Sequence, residues 1–92
     1  MTLRFEWDSR KAHLNREKHG ITFEEASTVF ADSLSLTIPD TPHSVDEDRY
    51  ITIGTSTRGR LVVAVHTGRN DIIRIISARK ATRNERKQYE DG

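Results

Sequence analysis

Three runs rich in β-branched residues, Arg49 to Ser56, Arg60 to Thr67 and Ile72 to Ser77, follow one another with only TRG and GRND between them. Gaps of that length are hairpin loops, so the second half of the chain is predicted to fold as an antiparallel meander. The first half supplies what such a sheet packs against. Leu3, Phe5 and Trp7 alternate with Arg4 and Glu6 as in a short half-buried strand. Asp8 stands as an N-cap for a helix over Ser9 to Lys18, and Gly20 is its stop. Thr22-Phe23-Glu24-Glu25 reads as a capping box, and Phe23, Ala26 and Phe30 make an apolar stripe, with Val29 beside it, that should lie on the sheet. Ser33 to Ile38 alternates again and precedes the acidic, proline-bounded loop PDTPHSVDED. Thr82-Arg83-Asn84-Glu85 is a second capping box, opening a helix to about Glu90. The expectation is an α+β fold in the order β-α-α-β-β-β-β-α, an antiparallel sheet packed by helices, forming one domain over residues 1–92.

Charge points to the partner. Residues 49–92 hold 10 Lys and Arg against 4 Asp and Glu, whereas residues 1–48 hold 5 against 10, so the net +1 conceals halves of +6 and −5. A basic half of this kind suits a polyanion, with RNA first among the candidates. The absence of cysteine removes disulfides, thiolate catalysis and cysteine-based zinc sites. The longest apolar run, Leu61 to Val65, is far too short to span a bilayer, and no signal-peptide stretch opens the chain, so a cytoplasmic protein with no membrane partner is expected.

The candidate site residues follow from charge in unusual places. Arg74 interrupts the apolar strand DIIRIIS, and a guanidinium among isoleucines is costly unless the face is open or an anion meets it. Two readings stand: an open basic face that cradles an RNA strand, or an ion pair to Asp46, Glu47 or Asp48. His66 is either a general acid or base beside the arginine-bearing GRND loop, which holds Arg69, or a half-exposed strand histidine. Whether His66 and Arg74 share a face depends on register across that hairpin, and a one-residue slip reverses it. Arg79 and Lys80 lie where the chain leaves the sheet. Arg83, Arg86 and Lys87 share a helix face, which reads as RNA contact or as a solvated surface. Lys11, Asn15 and Lys18 form a polar ridge open to the same two readings. Tyr89 reads as an anchor for the last helix or as a ring that stacks on a base, and Trp7 as core or base-stacking, with anchoring and core the commoner roles. His13, His19, His43 and His66 lack metal-ligand spacing, and neither a metal nor a cofactor is expected.

The blocks FEWD, KAHLNREKHG, FEEASTVFAD, HSVDEDRYITIGTSTRGRLVVAVHT and IRIISARKATRNERKQYE, in this order from Phe5 to Glu90, resemble the BrnT toxins of type II toxin–antitoxin systems. The resemblance implies a fold like that of the RelE-type toxins and a ribonuclease activity that arrests translation and growth. It also implies a BrnA-type antitoxin partner whose ribbon-helix-helix part binds operator DNA. Metal-free RNA cleavage needs cationic donors on the developing charge and a proton-transfer group. On that basis Arg60, Arg74 and Arg79 are expected to stabilise the transition state and His66 or Glu47 to move the proton, with Lys80, Arg69, Arg83 and Lys11 binding RNA. The competing expectations are a non-catalytic RNA-binding module, which the same basic sheet would serve, and a structural interaction protein.

Overall fold

The computed structural model describes residues 3–43, 47–69 and 71–92, and for residues 43 and 69 the backbone alone. Strand β1 (Arg4–Glu6) leads into helix α1 (Ser9–His19) and helix α2 (Phe23–Ser27), which tightens into a 3₁₀ turn over Thr28–Ala31. Strand β2 (Leu36–Pro39), a second 3₁₀ turn (Thr41–His43), strands β3 (Arg49–Thr55), β4 (Leu61–Arg69) and β5 (Ile72–Lys80), and helix α3 (Arg83–Asp91) complete the chain.

The caps act much as the sequence suggests, with one exception. The Asp8 carboxylate accepts from the amides of Arg10 (2.9 Å) and Lys11 (3.1 Å), which lowers its pKa, and Gly20 ends α1 at φ 72° in the left-handed region. At Thr82 the capping box is complete: Glu85 N–H donates to the Thr82 hydroxyl, and Thr82 N–H donates to the Glu85 carboxylate. At Thr22 only half of the box forms. Its hydroxyl accepts from Glu25 N–H at 3.0 Å, but the Glu25 carboxylate turns away toward the β3–β4 hairpin.

The sheet runs β1-β5-β4-β3-β2. Strands β2 to β5 form an antiparallel meander, but β1 pairs with β5 in parallel, so the sheet is mixed and the expectation of a wholly antiparallel sheet is corrected. The period-2 pattern of Phe5 reports burial of one face and carries nothing about the direction of its neighbour. One strand step of β5 is bulged: Val65 pairs Ser77 and His66 pairs Ile75, leaving Ile76 over. That extra residue lets both Ile75 and Ala78 point to the same core.

The two faces differ. On one, Phe23, Ala26, Val29 and Ile21 from the helical layer bury against Val62, Ala64, Ile75 and Ala78, with Phe5, Trp7 and Phe30 packed around them. Complete burial of a side chain like Phe23 contributes about 1.5–3 kcal/mol. Gly54 permits this layer to sit close, since a Cβ there would lie 3.0 Å from the Val29 carbonyl oxygen and 3.2 Å from Ser35 Cβ. Helix α1 docks through a polar residue. Asn15 is 8% exposed, and its amide donates to the carbonyls of Ile21 (3.0 Å) and Ala78 (2.8 Å) while accepting from Ala78 N–H (3.0 Å). The polar ridge expected of Lys11, Asn15 and Lys18 is therefore corrected: its middle member is a buried splint on β5 beyond the end of β1.

On the other face, a smaller cluster of Ile53, Leu61 and Val63 is covered by Ala81 and by Tyr89 of α3. Tyr89 anchors that helix, donating to Asp32 at 2.6 Å, and Asp32 also accepts from Thr55 N–H at 2.8 Å. The outermost strand, β2, ends in Pro39, after which Asp40 N–H donates to the Arg49 carbonyl at 2.8 Å.

Candidate functional site

Helices α1 and α2 close one face of the sheet, and α3 covers only part of the other. The strand registers align the side chains of that second face in transverse rows. The row Leu36, Ile53, Val63, Arg79 lies under or beside α3. The next is Ile38, Ile51, Val65, Ser77, partly open. The third is Arg49, Thr67, Arg74, Glu6. Successive rows are two residues apart along a strand, about 7 Å, and neighbours within a row stand about 5 Å apart. The uncovered part of this face is therefore an apolar step beside a charged one.

Arg74 sits in the charged row, as an open-face reading requires. Its partner is Glu6 across the β1–β5 pair, with Nη1 donating to the carboxylate at 3.1 Å and side chains 42% and 47% exposed. Asp46, one of the partners considered for Arg74, lies outside the described residues. Arg79 shares the face but is held: both terminal nitrogens donate to the Glu85 carboxylate, at 2.7 and 2.8 Å. That fork raises the Arg79 pKa and, as the largest cause, holds the Glu85 carboxyl down at about 2.

Arg60 and His66 are on the helix-bearing side, so the structure separates both from Arg74. Arg60 clamps the buried Glu25 with Nε at 2.9 Å and a second short contact, and reaches the Gly20 carbonyl. Ser56 donates to the same carboxylate at 2.7 Å. The Arg60 hydrogen bond lowers the Glu25 pKa most, against the opposing effect of burial. This network fastens the β3–β4 hairpin to α2. His66 is 7% exposed, wedged edge-on under Phe30 (4.8 Å) and stacked on Tyr50 (6.0 Å). Its Nε2 bonds the Thr52 hydroxyl at 2.7 Å, Thr52 bonds Thr37 at 2.7 Å, and Nδ1 is buried with no partner among the described residues. Burial pushes its pKa down to about 4, so the ring is neutral at pH 7. The β4–β5 register, left open by the sequence, thus puts His66 and Arg74 back to back through the sheet.

The remaining expected residues scatter. Glu47 is exposed at a bend two residues before Arg49, and Arg83 is exposed in the first turn of α3. Lys80 ends β5 opposite Val62, on the helix-bearing side, and Lys11 is exposed on α1. The side chain of Arg69 is outside the description. Among the described residues no three His, Asp or Glu side chains converge as a metal site, and no helix is long and apolar enough to cross a membrane. Sequence reasoning missed Glu6, Arg49 and Thr67. The signal was present only in pairing: each lies at an alternation position that becomes meaningful once the strands are set side by side.

Comparison with known proteins agrees with this architecture. No curated protein sequence matches the chain. The crystal structure of the Brucella abortus ribonuclease toxin, BrnT, at 1.1 Å superposes with a TM-score of 0.68 over 89% of this chain and 100% of that one, at 21% identity. Likeness at that identity speaks for the fold. The sequence profile of a family described as the ribonuclease toxin, BrnT, of type II toxin–antitoxin systems matches residues 7–85, most of the chain. This protein belongs to the BrnT family of ribonuclease toxins.

Proposed function

We propose that the chain is a single RelE-like toxin domain over residues 1–92, acting in the cytoplasm as a metal-independent endoribonuclease that cuts RNA on the open sheet face and thereby arrests translation and growth. The observation that carries this reading is the Glu6–Arg74 pair, a carboxylate beside a guanidinium, both about half exposed on the uncovered face. In RNA cleavage the 2′-oxygen attacks the adjoining phosphorus while its proton passes to a base, and the bond to the 5′-oxygen breaks, that oxygen taking a proton from solvent. Glu6 is positioned to accept the first proton and Arg74 to hold the charge that develops on the phosphoryl oxygens. Glu47, near the far end of the same row, is the second candidate acceptor. Arg79 and Arg83 extend the cationic surface toward α3, whereas Arg60, His66, Lys80 and Lys11 fall on the helix side and are left out of the site. The partner in this reading is a BrnA-type antitoxin that covers the open face with an acidic segment and supplies the operator-binding part.

Expression of the protein alone is expected to stop bacterial growth, with cleaved RNA detectable by primer extension and cleavage by purified protein persisting in EDTA. Arg74→Ala, losing a transition-state donor, should cut at roughly 10²–10³-fold lower rate while remaining folded. Normal growth with soluble protein, or a folded protein that binds RNA without cutting it, would sink the nuclease reading, the latter in favour of a binding module. Cleavage abolished by chelator and restored by a divalent ion would overturn the metal-free chemistry.

A further inference from the structure

We propose that Arg49, Thr67 and Arg74 form one phosphate-binding step, and that Ile38, Ile51 and Val65 beside it are the platform against which the adjoining base lies, so that the site takes single-stranded RNA. This rests on the reading of the open face as the RNA-cleaving surface and names what that surface grips.

Arg49 and Arg74 flank Thr67 on neighbouring strands, each its direct register partner on the open face. Their Cα atoms are therefore about 10 Å apart, with the threonine between. Arginine side chains are long enough to converge over that hydroxyl, and a planar guanidinium matches phosphate oxygens with two parallel donors. Thr67 itself is 5% exposed, screened by the side chains around it, and its hydroxyl forms no hydrogen bond with a described residue. It is a donor set at the floor of a cationic notch. The Glu6 carboxylate closes the notch on the side of Arg74, which sets a phosphate bound there next to the proton acceptor proposed above.

The apolar row gives the specificity. Ile38 is 37% exposed, and Ile51 and Val65 are half-buried, in a continuous line across β2, β3 and β4. A nucleotide lying across the strands can rest its phosphate on the arginine row and its base on this line about 7 Å away, two residues along the strands. Only an unpaired base offers its flat face to such a surface, since in a duplex the faces are stacked inside and the backbone is presented outward. Charge complementarity on one side and apolar contact on the other thus select the same occupant.

The probe is a fluorescent single-stranded RNA, fully 2′-O-methylated so that it cannot be cut, compared with its duplex by anisotropy between 50 and 200 mM salt. The expected result is binding of the single strand at least ten-fold tighter than of the duplex. Arg49→Ala should weaken it and reduce the salt slope by roughly 0.7, the release expected for one phosphate contact on a single strand. Ile38→Ser should weaken binding several-fold with the slope unchanged, and Thr67→Val, nearly isosteric, should do the same. Circular dichroism confirms folding, and Arg49→Lys, which keeps the charge but loses the fork, should fall between wild type and alanine. Equal affinity for duplex, or wild-type affinity and slope in folded Arg49→Ala, overturns the inference while cleavage by the wild type leaves the nuclease reading standing. A wild-type protein that neither binds nor cuts RNA overturns both.

Discussion

Replacing Asn15 with alanine should destabilise the protein far more than a substitution in a largely exposed helix ordinarily does. The side-chain amide bonds both the N–H and the C=O of Ala78, at 3.0 and 2.8 Å, and adds the Ile21 carbonyl at 3.0 Å. It thus pairs with β5 as a neighbouring strand would, at a position β1 is too short to reach. Each of these hydrogen bonds contributes about 1 kcal/mol net, and a buried group left without a partner costs about 1–3 kcal/mol, so a loss of about 3–5 kcal/mol is expected, with entering water offsetting part of it. In a domain whose total stability is of order 5–15 kcal/mol, this removes a large share. At ~4–8 °C per kcal/mol for a chain of this size, a 3 kcal/mol loss lowers the melting temperature by roughly 12–24 °C. Urea unfolding followed by circular dichroism measures the change directly. Asn15→Asp sharpens the test: it keeps an acceptor for Ala78 N–H but sets a carboxylate against two carbonyls. It should be at least as damaging as alanine at pH 7 and recover partly when the carboxyl is protonated. A loss below about 1 kcal/mol in Asn15→Ala, with an unchanged m-value, would refute the splint argument.

The other expectations concern pH, the last helix and the partner. His66, with its pKa depressed to about 4 by burial, stays neutral in the folded state while the unfolded chain takes up a proton below 6.5. Stability should therefore fall as pH drops from 6.5 to 4, by up to about 3 kcal/mol at 1.36 kcal/mol per unit, and this slope should flatten in His66→Gln. Glu85, held down to about 2 mainly by Arg79, adds stability that is present above pH 4.5 and lost as pH falls through 2, so Glu85→Gln should weaken the native state at pH 7 and gain relative to wild type in acid. Tyr89→Phe deletes the 2.6 Å bond to Asp32 and should raise amide exchange in α3 while the central strands stay protected; unchanged exchange would mean that packing alone holds the helix. If the antitoxin lays an acidic segment on the open face, Arg74 in the inactive complex should resist arginine-selective labelling; full reactivity would place the antitoxin elsewhere.

Most of the fold was legible because its signals are local. The unbroken apolar run from Leu61 to Val65, the caps at Asp8 and Thr82 and the short loops each depend on a few consecutive residues. What the sequence hid was pairing over distance. That β1 lies parallel to β5, that Asn15 replaces a strand, and that Glu25 abandons its own helix cap for Arg60 are decided by residues more than thirty positions apart. The candidate site suffered from the same gap. Arg74 stood out because a charge in an apolar strand is conspicuous, whereas Glu6, Arg49 and Thr67 look ordinary until the strands are set in register. His66 looked available because its two ring nitrogens and the nearby arginine are visible in sequence, but the Phe30 ring that buries it is not adjacent there.

Pro39 carries a consequence for how this molecule meets other chains. Because Asp40 N–H points inward to Arg49, alternation turns the main chain of Leu36 and Ile38 inward too and that of Thr37 and Pro39 outward. Proline has no N–H to offer, and the Ser35 N–H just before the strand is already given to Asp32 at 3.0 Å. Along β2 the outward rim therefore presents Thr37 as its single amide donor, too little for a foreign strand to zip onto. A protein made of exposed β-structure can in this way accumulate without polymerising edge to edge, and any partner it acquires on this side must recognise side chains rather than extend the sheet.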